Sequence, residues 1–193
     1  MGASSSRCVA LEPIIVCGMA HSGTTEVARV LGSPPGFRNY CSGREDHLLE
    51  CDELLRRDAK ALRSGIDAQE RHGVETWVCK RPWLESDWEW CIEEFPDAIF
   101  CIVVRPFWGL WGSWNKPNSA GLDRGLVDCD PRHAWEVWDR HIRGAASLLA
   151  NAQHAMMIDF TLFCARPESL GWAMAQQGIV AEWDYGSVDP TRL

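Results

Sequence analysis

Apolar residues follow two alternating rhythms along this chain. Ile14-Ile-Val-Cys17 is continuous and largely β-branched, the pattern of a strand buried on both faces. Gly18 and Gly23 bracket a turn behind it, and Thr24, Thr25, Val27, Val30 and Leu31 begin a helix. Residues 32–36, with two glycines and two prolines, form a turn cluster. A helix is expected to open at Ser42-Gly-Arg-Glu45 and run to about Ser64 on the stripe Leu48, Cys51, Leu55, Ala59 and Leu62. Gly65 and Gly73 would flank a polar loop. Thr76-Trp-Val-Cys79 reads as a short strand ending at Lys80-Arg81-Pro82. Leu84, Trp88, Cys91, Ile92 and Phe95 then mark the buried face of an amphipathic helix.

The second half repeats the alternation. Ala98 to Val104 is an apolar run suited to a central parallel strand, and Pro106 starts a helix carrying Trp108, Trp111 and Ser113. Trp108, Trp111 and Trp114 recur every three residues, which favours core packing over a ligand platform. Lys116 to Asp130 lacks periodicity and is a candidate lid or acceptor-binding segment. Asp130-Pro131 supplies an N-cap and first-turn pair for a helix with the stripe Trp135, Trp138, Ile142, Ala145 and Leu149. Ala155 to Ile158 is a last strand, and Pro167 to Gln177 a last helix ended by Gly178. Strands alternating with helices predict an α/β fold, three αβα layers around a mainly parallel sheet. Neither repeats nor a boundary interrupt the chain, so residues 1–193 read as one domain, with 1–11 a flexible leader.

Composition narrows the function. At 193 residues, 46% hydrophobic and 24% charged, the chain resembles a water-soluble globular domain. Its net charge of −8 argues against nucleic acid or other polyanions as partners, so an anionic ligand needs a few local cations. Nine scattered cysteines include no C-x-x-C pair, and neither a signal peptide nor a membrane-length apolar run is present. A reducing, cytoplasmic setting is expected. Met1-Gly2 with Ser6 formally fits a myristoylation pattern, but a short leader is the favoured reading. His133, His141 and His154 have no partners at metal-ligand spacing, so no metal is expected.

The chemistry concentrates after the first strand. Gly18-x-x-x-x-Gly23 has the spacing of a phosphate-binding loop with Thr25 in the Ser/Thr position. Such a loop presents backbone amides at the positive end of a helix dipole. Thr24 stands where a triphosphate-binding loop has its lysine, which points to an anion other than the γ-phosphate of ATP. Gly18, Lys80 and Arg105 all lie at strand ends, and ligands of parallel sheets gather beyond those ends.

His21-Ser-Gly-Thr-Thr25 resembles the 5′-phosphosulfate loop of sulfotransferases, usually a basic residue followed by Ser-Gly-Thr-Thr. A second motif about 85 residues later, Cys101-Ile-Val-Val-Arg105 with Ser113 eight residues on, has the spacing of that family's 3′-phosphate site. The resemblance runs in order over roughly residues 12–165. It implies a P-loop-like sulfotransferase fold and the donor 3′-phosphoadenosine 5′-phosphosulfate, without Mg²⁺. Gly18, His21, Ser22, Gly23, Thr24 and Thr25 would hold the 5′ end, and Arg105 and Ser113 the 3′-phosphate. His21 occupies the usual Lys or Arg position, and Lys80 resembles the lysine of a Lys-x-Pro segment, with Arg81 the alternative for that role. Glu45 is the candidate base, resembling the Gly-Glu pair of tyrosylprotein sulfotransferases, with Asp46 or His47 as alternatives. Ser42 and Glu45 also fit a plain capping box.

Three departures mark the chain: His21 itself, Pro106 directly after Arg105, and no late Arg-Lys-Gly loop. A compact family member, or one that completes its site with a second subunit, is expected. The acceptor implied is a small-molecule or carbohydrate hydroxyl or amine. The alternatives are a P-loop kinase or nucleotidase, and a degenerate nucleotide-binding module.

Overall fold

The computed structural model describes residues 13–42, 49–69, 74–114, 130–186 and 188. Glu45, Asp46 and His47, and the expected lid up to residue 129, lie outside these residues.

Five strands form one parallel sheet: β1 (Ile14–Gly18), β2 (Phe37–Tyr40), β3 (Thr76–Lys80), β4 (Ile99–Val104) and β5 (His154–Asp159). Their order is β2-β3-β1-β4-β5, so β1 is central and the direction of winding switches there. Both inner neighbours are in register with it, Ile14 to Gly18 against Ile99 to Val103 of β4 and Ile14 to Val16 against Val78 to Lys80 of β3. Burial on two faces explains the unbroken apolar runs of β1 and β4.

Among the described residues, eight α-helices cover the sheet: α1 (Thr24–Leu31), α2 (Asp52–Leu55), α3 (Ala59–Gln69), α4 (Trp88–Glu94), α5 (Phe107–Trp114), α6 (Pro131–Asn151), α7 (Phe160–Ala165) and α8 (Glu168–Gln176). A 3₁₀ turn, Leu84–Asp87, leads into α4. On one face Ile14 and Val16 pack with Val27 and Leu31 of α1, Phe163 of α7 and Leu170 and Met174 of α8. On the other, Ile15, Phe100 and Ile102 meet Leu62 of α3, Cys91 of α4 and Leu148 of α6. The result is the expected three-layer αβα sandwich.

Some boundaries differ from the pattern reading. The helix expected to run to Ser64 is two helices, broken where Arg57 takes a left-handed conformation and Asp58 accepts from the Ala61 amide. Gly65 does not end a helix but lies inside α3, where the Tyr40 ring packs against its bare Cα. The edge strand β2 was not foreseen, because Phe-Arg-Asn-Tyr is too short and polar to stand out. Helix α7 was also missed, and it starts where Asp159 caps the Thr161 and Leu162 amides. On α6 the buried face is Ala134, His141, Ala145 and Leu148, one step round from the predicted stripe, and Trp135 is 47% exposed. Trp114 is core as expected, whereas Trp108 is 71% exposed. No described helix is long and apolar enough to cross a membrane.

Several thiols are sealed inside these layers. Burial pushes Cys101 up to about 12, and burial followed by the nearby Asp87 carboxylate does the same for Cys91. Unfolded thiols ionise above about pH 8.5 while these stay neutral, so their contribution to stability is complete below that pH and lost as pH climbs towards 12. The melting temperature should fall across that window. In Cys101→Ala the fall should be shallower, and thermal denaturation at stepped pH reads both.

Candidate functional site

The carboxyl ends of β1, β3 and β4 bring Gly18, Lys80 and Arg105 to one edge, as expected. The loop leaves β1 at Gly18 and turns through His21, which has a left-handed φ of 67°, to Gly23 at 98°. The Met19 carbonyl accepts from the Ser22 amide (3.0 Å), and the Gly23 carbonyl accepts from Glu26 and Val27 as α1 begins. Thr24 and Thr25 occupy the first positions of α1, where amides have no carbonyl a turn earlier within the helix. That geometry and the helix dipole favour an anion in front of the loop.

Side chains divide unevenly around the loop. Ser22 is fully buried and its hydroxyl turns inward against the bare face of Gly18. Thr24 is also buried, while Thr25 is partly exposed. The Lys80 ammonium, from the end of β3, donates to the Thr25 hydroxyl over 2.9 Å. A cation from the neighbouring strand thus lies beside the loop, whose own position 24 carries none. Lys80 is only 2% exposed, and burial lowers its pKa while Glu50, 3.5 Å away, opposes that shift. Arg81, the alternative to Lys80, also bonds Glu50 and makes no described contact with the loop. Glu50 was not singled out in the sequence; it reaches the site through a bridge between its backbone and Lys80.

Arg105 follows β4 and reaches the other side of the loop, donating to the His21 carbonyl over 3.3 Å. Burial lowers its pKa. Gly109 makes room for it: a Cβ there would stand 2.9 Å from the Arg105 Nε. Ser113, two turns along α5, places its hydroxyl 3.4 Å from His21 Nδ1. The two residues of the second motif therefore both meet the residue that opens the first. Trp138 of α6 holds the Arg105 carbonyl (3.2 Å), and Trp114 the Ala20 carbonyl (3.3 Å). Their long separation in sequence hid both contacts from pattern reading.

A second polar cluster supports the loop from beneath. The Trp83 amide donates to the Gly18 carbonyl (2.8 Å), and the Trp83 ring lies 4.3 Å from that of His141. His141 Nδ1 sits 2.8 Å from the Ser86 hydroxyl and 3.0 Å from Oε1 of Glu85. Among the described residues, no group of three or more His, Cys, Asp or Glu side chains could hold a metal ion.

This architecture has known counterparts. No protein-family model and no curated protein matches the chain. Solved structures do. The sulfotransferase STF1 of Mycobacterium tuberculosis aligns with a TM-score of 0.61 and 16% identity, over 88% of this chain and 68% of that one. A sulfotransferase domain from the curacin biosynthetic pathway gives 0.54 and 17%, over 89% and 75%. The sulfotransferase STF9 of Mycobacterium avium gives 0.55 and 12%, over 95% and 67%. The fold of this chain is that of the sulfotransferases.

Glu50 compensates two nearly buried cations, and neutralising it leaves both uncompensated. Glu50→Gln should cost about 2 kcal/mol in urea denaturation, reduced from a fully buried pair because Glu50 is partly exposed. Arg56→Ala, which breaks an exposed pair with Asp52, should change stability by less than about 0.5 kcal/mol.

Proposed function

We propose that this protein is a sulfotransferase that takes a sulfuryl group from 3′-phosphoadenosine 5′-phosphosulfate and passes it to a hydroxyl or amine of a small-molecule or carbohydrate acceptor. One observation carries the reading. Two basic regions, Lys80 on Thr25 and Arg105 with Ser113 on His21, flank a single helix-terminus loop. A ligand with two separated anionic groups suits that arrangement, and the donor carries one at each end of its ribose.

In this reading the amides of Thr24 and Thr25 and the Lys80 ammonium face the 5′-phosphosulfate. The Arg105 guanidinium offers a fork to the 3′-phosphate, assisted by Ser113. The acceptor oxygen or nitrogen attacks sulfur as the bond from sulfur to the bridging oxygen breaks, leaving the 5′-phosphate with the electron pair. In this reading Lys80, bonded to Thr25, and His21 stabilise charge developing there. The acceptor proton passes to a general base, for which Glu45 remains the candidate. Thr24 in place of a loop lysine, and Arg105 where a Mg²⁺-binding carboxylate would be needed, weigh against ATP chemistry.

Incubation with the ³⁵S-labelled donor and a panel of alcohols, phenols, sugars and amines tests the assignment. At least one acceptor should become labelled, and Arg105→Ala should lower kcat/KM about 100-fold, mainly through KM. Mg²⁺-dependent ATP turnover with no label transfer would overturn it. Donor binding without transfer to any acceptor would favour a degenerate binding module.

A further inference from the structure

Both donor-site motifs lean on a residue that belongs to neither. Strand β5 pairs with β4 so that Asp159 stands opposite Val104, which brings Phe160 level with Arg105. The Asp159 carboxylate accepts from the Thr161 and Leu162 amides (2.8 and 3.1 Å), fixing the turn in which Phe160 begins α7. The ring is almost fully buried. One part of it fills the space a side chain at position 23 would need: a Cβ on Gly23 would lie 2.0–2.7 Å from three ring carbons. The Arg105 guanidinium lies over the same ring, its central carbon 5.3 Å from the centroid.

We propose that Phe160 is a positioning residue that couples the two halves of the donor site, a role resting on the donor assignment above. Its ring restrains the loop at Gly23, whose φ of 98° is open to glycine and to few other residues. It also gives the guanidinium a π-face to rest on, which helps to orient the planar fork beside the loop. In this role Phe160 acts through Arg105 and Gly23. Loosening it therefore releases the 5′ and 3′ halves together.

The test is calorimetric titration of the full chain with 3′-phosphoadenosine 5′-phosphate. Phe160→Leu should weaken binding about tenfold, since a cation–π contact and a packed loop are lost together. In an Arg105→Ala background the same substitution should cost only about threefold, because the route through Arg105 is gone and only the one through Gly23 remains. Phenylalanines carrying one, two and three ring fluorines at position 160 keep the shape and weaken the π-face, so affinity should fall stepwise with fluorination. A purely structural role would not produce that series. Wild-type affinity in Phe160→Leu, equal losses in both backgrounds, or indifference to fluorine would each overturn the proposal. If the unmodified chain binds no bisphosphate, the donor assignment itself falls. Tight wild-type binding with an indifferent Phe160→Leu rejects only the coupling role.

Discussion

The register of β1 against β4 is the constraint on which the rest of the site depends. Gly18 stands opposite Val103, so the loop that follows β1 and the arginine that follows β4 emerge side by side. A slip of one residue would move Arg105 by roughly 3.3 Å and exchange the faces of every apolar residue in β4. The two packed cores forbid that exchange, because Cys101 and Val103 belong to one and Phe100 and Ile102 to the other. Hydrophobic burial on both sides of the sheet thus fixes the spacing of polar groups at its end. The same logic sets Lys80 beside the loop through β3 and Phe160 beside Arg105 through β5.

An acidic chain faces a particular difficulty in holding an anion. With a net charge of −8, long-range attraction is unavailable and the cations must act at close quarters. Lys80 and Arg81 are both nearly buried, and Glu50 between them offsets their charge without removing Lys80 from Thr25. Arg105 is held differently, by the His21 carbonyl and the Phe160 ring. The Ser22 hydroxyl lies against the bare face of Gly18. The loop thus combines the amides that open α1 with cations that arrive from neighbouring strands.

Much of the fold was legible in the sequence because two of the inner strands, β1 and β4, are apolar runs that a doubly covered sheet accounts for. The strand-end rule alone placed Gly18, Lys80 and Arg105 on one edge. What escaped was local or distant in the chain. β2 is four residues at a sheet edge with a mixed pattern, and α7 is six residues started by a single capping aspartate. The face of α6 was misplaced by one position because His141, a polar residue, is buried against Glu85 and Trp83 while Trp135 is not. Glu50, Phe160, Gly109 and Trp138 carry no motif. Phe160 alone had a readable signal, since it follows the carboxyl end of the last strand, where the same rule could have found it.

A crystal structure of the chain with bound 3′-phosphoadenosine 5′-phosphate tests the central claim most directly. The account predicts the 5′-phosphate on the amides that open α1, within reach of Lys80, and the 3′-phosphate on Arg105 and Ser113. A nucleotide bound elsewhere, or one whose 3′-phosphate turns away from Arg105, would contradict it.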